Sequence, residues 1–402
     1  MKRIMRYVAA AVLAVMMTAG FPSCIYDNAA GDSPSSRPGD DNITLFIRLG
    51  ILDGPASRAE APDVECMHTL RIVMLDLDNG GKVEYNEKIS YEINPVISTG
   101  FILIPTVKGE KKIFFIANED SVTLSTTGEE TSLAAFLDGF EKGDEGFEDA
   151  VNGVYFRLDS RKPLPMTSEY TLTAGRPGEN NYTFYVVPAA TKYTFNITNK
   201  RTETSSTITK IAMENFADAN YVMPHVGRQY RNWTNSDGTT SSLYWIEWLK
   251  NVVDATSANS KLPGNYDVNQ RLGWILDYEL PEHSDSQHEL FAGEQSINGI
   301  PDEKSDAEPG QATFGPYYAP ESKSLKSAAN PDGEQSYTLV LELTDGTGTA
   351  QHHTRELPYV AALFRNTHVV IDITLEMSWM HIYGEIRSWK DNNVYGTLTE
   401  ED

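Results

Sequence analysis

Residues 42–50 read NITLFIRLG. Ile43, Leu45, Ile47 and Leu49 occupy every second position, with Thr44, Phe46 and Arg48 between them. Successive strand side chains point to opposite faces, so this period puts the four aliphatic residues on one face and reads as a half-buried β-strand. An amphipathic helix would need apolar residues three and four apart.

Working outward, the same period recurs. HTLRIVMLDL (68–77), KVEYNEKISYEI (82–93), FILIPTV (101–107), KKIFFIANE (111–119), YTFYVV (182–187), TKYTFNIT (191–198) and STITKIAMEN (206–215) all read as strands. So do YTLVLELTD (337–345), RELPYVAALF (355–364), HVVIDITLEM (368–377), MHIYGEIRSW (380–389) and NVYGTLTE (393–400). TSLAAFLDGFE (131–141) is the one helix predicted in the first half, and SSLYWIEWLKNVVDAT (241–256) is compatible with a second. Residues 215–335, rich in Asn, Ser, Gly, Pro and aromatics, otherwise read as long ordered loops. Short, closely spaced strands predict a mainly all-β chain of two tandem β-sandwich-like domains, 43–188 and 189–402, the second carrying the insertion at about 215–335.

Upstream of residue 42 the character changes. Lys2, Arg3 and Arg6 precede an apolar run over 7–19, then Gly20, Phe21, Pro22, Ser23 and Cys24. A basic start, a short apolar run and a small residue before the cut make residues 1–23 a secretory signal. The run is shorter than the roughly 20 residues a spanning helix needs. Phe21, three before the cysteine, suits a lipoprotein box, so Cys24 is expected to carry lipid, palmitate-type chains included. Two or more acyl chains anchor a protein stably where one is marginal. Residues 24–42 follow as a Gly, Ser, Pro and Asp-rich tether.

The 402 residues carry a net charge of −24, against binding nucleic acid or anionic lipid surfaces. Of two cysteines, Cys24 is assigned to lipid and Cys66 is expected as a buried thiol, so no disulfide framework or Cys-based zinc site is expected. DLDNGGKVEYNE (76–87) imitates a calcium loop, with Asp76, Asp78, Gly81 and Glu87 in the register of an EF-hand. Gly80 offers no ligand at its fifth position and the flanks read as strands, so a hairpin is preferred. His283 and His288, and the pair His352 and His353, read as solvated loop residues, because neither spacing gathers two imidazoles on one face. The acidic run EKGDEGFED (141–149) reads as a solvated loop. Trp233, Tyr244, Trp245, Trp248, Trp274, Tyr317 and Tyr318 either line a sugar-binding surface or pack the insertion's own small core. No nucleophile elbow, zincin signature or phosphate loop occurs, so neither enzyme nor cofactor is expected.

The order of several segments resembles the Bacteroidetes-type fimbrillins, the family of major and minor fimbrial subunits. These segments are the box at Cys24, NITLFIRLGI, the Arg-containing GPASRAEAP (54–62), TLRIVMLDLDNGGKV, KKIFFIANE, LPMTSEYT, YVVPAATKYTFNIT and LPYVAALFRNTHVVIDITL followed by Trp389. The insertion is more similar to the minor-fimbrium type. Val187-Pro188 stands where an Arg is expected before the small-residue-Lys step. The resemblance implies an outer membrane lipoprotein precursor, held by its lipid until a trypsin-like surface protease cuts between Arg58 and Ala59. The cut would release the strand of Ile43, Leu45, Ile47 and Leu49. The vacated edge and groove would template strand addition. The C-terminus, 379–400, offers the donor candidates Met380, Ile382, Ile386, Val394 and Leu398. Head-to-tail exchange does not close and builds a filament. The expected function is a structural subunit of a cell-surface fimbria supporting adhesion, its partners other fimbrial subunits and a host protein or glycan. The rivals are a lipid-retaining anchor, a tip adhesin, and a non-polymerising glycan-binding surface lipoprotein.

Overall fold

A computed structural model describes residues 41–399, except 56, 60, 125–130, 176–179, 203, 227–229, 235–239, 245–277, 280–285, 302–307, 324–336, 358–361, 378 and 390–393. The alternation at the start becomes β1 (Asn42–Ile51). It is followed by β2 (Thr69–Asp76), β3 (Lys82–Ser90), β4 (Ile102–Val107) and β5 (Gly109–Ala117), then, after two short helices, by β6 (Met166–Ala174) and β7 (Asn181–Pro188). These seven form one sheet in the order β3-β2-β5-β6-β7-β1-β4. Its two outer strands come together: Glu84 of β3 accepts from Thr106 Oγ1 at 2.8 Å and Val107 N at 3.0 Å on β4. The sheet is thus curled around its inner face, which holds Leu45, Ile47, Leu70, Ile72, Ile113, Phe115 and Val186.

Both faces of β2 and β5 are buried, giving runs such as IVML and IFFI rather than alternation. Their outer face, with Val73 and Phe114, is covered by α1 (Leu133–Asp138) and α2 (Phe147–Asn152) through Leu133, Leu137, Phe147 and Val151. Helix α2 corrects the end of the sequence reading of 141–149 as a solvated loop; residues 141–146 are exposed and precede it. Phe147 and Val151 stand one turn apart and are fully buried, while Glu148 between them pairs with Lys112 of β5 and Asp149 is exposed.

The second half begins after the buried Ala189 and Ala190. Its strands are β8 (Thr191–Asn199), β9 (Ser206–Phe216), β10 (Ser286–Ile297), β11 (Gly310–Ala319), β12 (Thr338–Asp345), β13 (Ala350–Glu356), β14 (Thr367–Leu375), β15 (Met380–Ser388) and β16 (Val394–Thr399). One sheet runs β11-β8-β14-β15-β16 and the other β10-β9-β12-β13, enclosing Tyr193, Phe195, Ile211, Phe216, Leu339, Leu341, Ile371 and Ile373. The fold is mainly all-β, with sandwich-like halves in tandem.

Two features correct the loop reading of 215–335. β10 and β11 lie within it and are integral strands, pairing with β9 and β8. Ser241–Tyr244, offered as the start of a helix, belongs to a strand pair instead, Tyr230–Thr234 with Thr240–Tyr244. The halves are also stitched together, since Asn220–Tyr221 pairs with Tyr155–Phe156.

Candidate functional site

The first strand is interior to its sheet. Its first half, Asn42 to Ile47, pairs antiparallel with β4, and its second half, Phe46 to Ile51, pairs parallel with β7. Beyond the ladder, Leu52 N donates to Val186 O at 2.9 Å, and Leu49 exchanges bonds with Thr99. Inward, Leu45 and Ile47 are 0 % exposed, Leu49 and Ile51 are buried, and Ile43 packs at the margin of the same core. Burying such a side chain is worth about 1.5–3 kcal/mol, so the four fully inward residues represent on the order of 6–12 kcal/mol. That is comparable with the whole stability of an ordinary domain, about 5–15 kcal/mol. Outward, Phe46 faces Leu103 across the strands and meets Phe101 edge-on, with the Arg48 guanidinium 4.0 Å over the Phe101 ring. Phe101 and Leu103 are exposed, so the uncovered outer face contrasts with the sealed inner one.

Arg58 lies on the connection from β1 to β2. Its side chain is 43 % exposed, and Ala59 is also exposed. The setting is accessible but ordered. Arg58 Nη2 pairs with Asp63 at 2.6 Å, Nη1 donates to Ala61 O at 3.3 Å, and Nε donates to Pro95 O at 3.2 Å. Asp63, five residues on, supplies the charged part of this clamp. Three residues of 3₁₀ helix follow, Asp63–Glu65, then Cys66. Cys66 is a buried free thiol whose pKa is pushed up by burial.

Glu65, which the sequence did not single out, gathers residues from far along the chain. Its carboxylate is buried and accepts from Tyr318 OH at 2.7 Å and Trp389 Nε1 at 3.0 Å. Lys192 Nζ stands 3.4 Å from Glu65, donates to Trp389 O at 2.7 Å, and lies 4.7 Å from the centre of the Trp389 ring. Burial and the Glu65 charge push the Tyr318 hydroxyl far above its ordinary range, so it stays a donor. A second buried pair joins the halves: Arg365 Nη2 meets Glu321 at 2.6 Å, and the same guanidinium donates to Thr167 Oγ1 and to the carbonyls of Tyr221 and Val222. No local pattern announces either cluster, because the partners of Glu65 are hundreds of residues away.

The donor candidates divide between two strands. Met380 and Ile382 lie on β15, buried in the core of their own sandwich, with β14 on one side and β16 on the other. Among the described residues β16 is the outermost strand of its sheet, paired with β15 over Tyr383–Arg387. The side chains of Ile386, Val394 and Leu398 lie outside the described residues, as does Cys24.

The remaining sequence candidates have structural partners. Residues 76–87 form the β2–β3 hairpin with Gly80 and Gly81 at positive φ. Asp76 pairs with Lys111 at 2.9 Å, and Asp78 accepts from Glu110 N. His288, His352 and His353 are on strands rather than loops; His288 faces Ala217 O at 2.8 Å, and burial lowers its pKa. Tyr317 and Tyr318 belong to β11, where Tyr317 packs on the sandwich core. Trp233 and Tyr244 sit on the paired short strands, while Trp245, Trp248, Trp274 and His283 lie outside the described residues.

No family model matches the chain, and no curated protein matches it. Solved structures similar to it include the tip fimbrial protein Mfa3 from Porphyromonas gingivalis, with a C-terminal truncation, at 14% identity and a TM-score of 0.46, covering 87% of this chain and 100% of that one. A candidate cell adhesion protein from Parabacteroides distasonis is similar at 11% identity and a TM-score of 0.48, covering 89% and 98%. A fimbrial assembly protein from the same species is similar at 9% identity and a TM-score of 0.40, covering 89% and 98%. Similarity at this level assigns no role to any residue here.

Proposed function

We propose that the chain is a non-enzymatic structural subunit of a cell-surface fimbria, made as an outer membrane lipoprotein through Cys24 and matured by a cut between Arg58 and Ala59. One observation carries the reading: β1 fills an interior slot whose inner face is apolar, and its connection to β2 carries Arg58 with an exposed side chain. Losing β1 would expose the facing edges of β7 and β4 and open the core between them. A strand with alternating apolar residues can restore both the backbone bonds and the burial. β16 is the preferred donor of the next subunit, because it has one neighbour in its own sheet. β15 also carries donor candidates, but its Met380 and Ile382 support their own core, so it would remain behind. Repetition of this contact is head-to-tail and extends without closing. Other fimbrial subunits and a trypsin-like surface protease are the implied partners, with a host protein or glycan as the object of adhesion.

The three bonds on Arg58 favour one second reading, a lipid-retaining anchor in which the loop stays closed. The test is the N-terminus of surface material. A polymerising subunit begins at Ala59 and gives an SDS-resistant ladder that depends on the protease. An anchor begins at acylated Cys24 and gives none.

A further inference from the structure

We propose that Glu65 and Trp389 form a latch that keeps the last strand folded onto its own subunit while β1 is in place, so that the C-terminal arm is released only after the cut. The proposal rests on the strand-exchange reading above, and adds to it a link between the two ends of the chain.

Trp389 directly follows β15 and stands at the root of the arm that leads to β16 at Val394. Its indole is seated in the N-terminal core, the one that holds Leu45, Ile47 and Leu49 of β1. It is 1 % exposed and stacks with Tyr318, their ring centroids 6.0 Å apart. Three further contacts fix it: Nε1 to Glu65, its carbonyl to Lys192 Nζ, and its ring under the same ammonium. The root of the exchanging arm is therefore seated in the core that loses β1, gripped by Glu65 from that half and by Lys192 and Tyr318 from the other.

Glu65 sits in the short helix just beyond the cut site, and Asp63 of that helix is the carboxylate partner of Arg58. A cut after Arg58, followed by departure of the leading segment, acts on this seat twice. Asp63 loses its guanidinium, and the core around the indole loses the aliphatic face of β1. When Trp389 lifts out, Glu65 keeps Tyr318 and Lys192, so opening does not strand a bare buried charge. Beyond the latch, β16 has one strand neighbour among the described residues, the arrangement of a segment that opens locally.

The experiment is hydrogen exchange read by mass spectrometry on the full chain, uncut and cut at Arg58, with Trp389→Phe and Glu65→Gln made in the uncut form. Trp389→Phe keeps an aromatic ring and removes the donor. Glu65→Gln keeps the shape and removes the charge. Each variant is expected to speed exchange of amides 394–399 roughly tenfold, the scale of one hydrogen bond to a charged group. Cut wild-type protein should exchange there faster still, and β14 amides 367–375 should be unchanged throughout. If Trp389→Phe also accelerates β14, the decision passes to Glu65→Gln and to wild type before and after the cut. Equal rates at 394–399 in those forms overturn the latch. The uncut chain is read by itself, so a latch is detectable even if surface material begins at Cys24, and a mature chain beginning at Ala59 is compatible with finding no latch.

Discussion

The first and last described strands each lie in a sheet of a β-sandwich-like half, but they are held very differently. β1 has a neighbour on each side and a sealed apolar face beneath it. β16 has one neighbour, over five register pairs. The difference teaches what a strand exchange needs. The slot must be worth filling, so its occupant is an interior strand whose loss leaves a hole. The donor must be cheap to detach, which suits an edge strand with one described neighbour, as β16 is. A chain with two interior terminal strands would not polymerise readily, and one with two edge strands would not hold together once it had.

The largest expected effect comes from deleting residues 42–51. The N-terminal sheet should then fail to fold cooperatively, seen as loss of its melting transition, and should be recovered by a peptide of that segment added in trans. A normal melt without the peptide would break the contrast. Next in size is Glu321→Ala, which leaves Arg365 buried without its carboxylate at the junction. It should cost about 3–5 kcal/mol by urea denaturation, the range for stripping one partner from a buried pair. Within β1 the two faces can be set against each other. Ile47→Ala should cost about 2–5 kcal/mol as a cavity in the core. Phe46→Ala, at a position 37 % exposed on the outer face, should stay within about 1 kcal/mol. Similar costs for the two would mean that β1 is not seated as described. The smallest effect is removal of residues 394–402. It should lower stability on the order of 1 kcal/mol, about 2–4 °C in Tm, while abolishing assembly.

How much of this was legible in the sequence depends on the range over which each feature is specified. The alternation of Ile43, Leu45, Ile47 and Leu49 is local, and it predicted both the strand and its buried face. That β1 pairs in parallel with residues 181–186 is not local, and no pattern near residue 42 carries it. α2 was hidden because five acidic residues in 141–149 outweighed the single turn defined by Phe147 and Val151. β10 and β11 were hidden for a related reason. Strands such as SQHELFAGEQSI are largely exposed and rich in polar residues, so their composition is that of a loop. Arg58 was singled out through the resemblance, as the position of a cut. Its clamp on Asp63, Ala61 and Pro95 was not legible, and neither was Glu65, whose partners Tyr318 and Trp389 come from the far end of the chain.

The most direct test of the central claim uses a labelled peptide of residues 390–402 and two forms of the full chain, one intact and one cut at Arg58 with its leading segment removed. The account predicts saturable binding to the cut form alone, competed by a peptide of residues 42–51 and accompanied by a rise in the thermal stability of the N-terminal half. Equal binding to both forms, or none to the cut form, would contradict it.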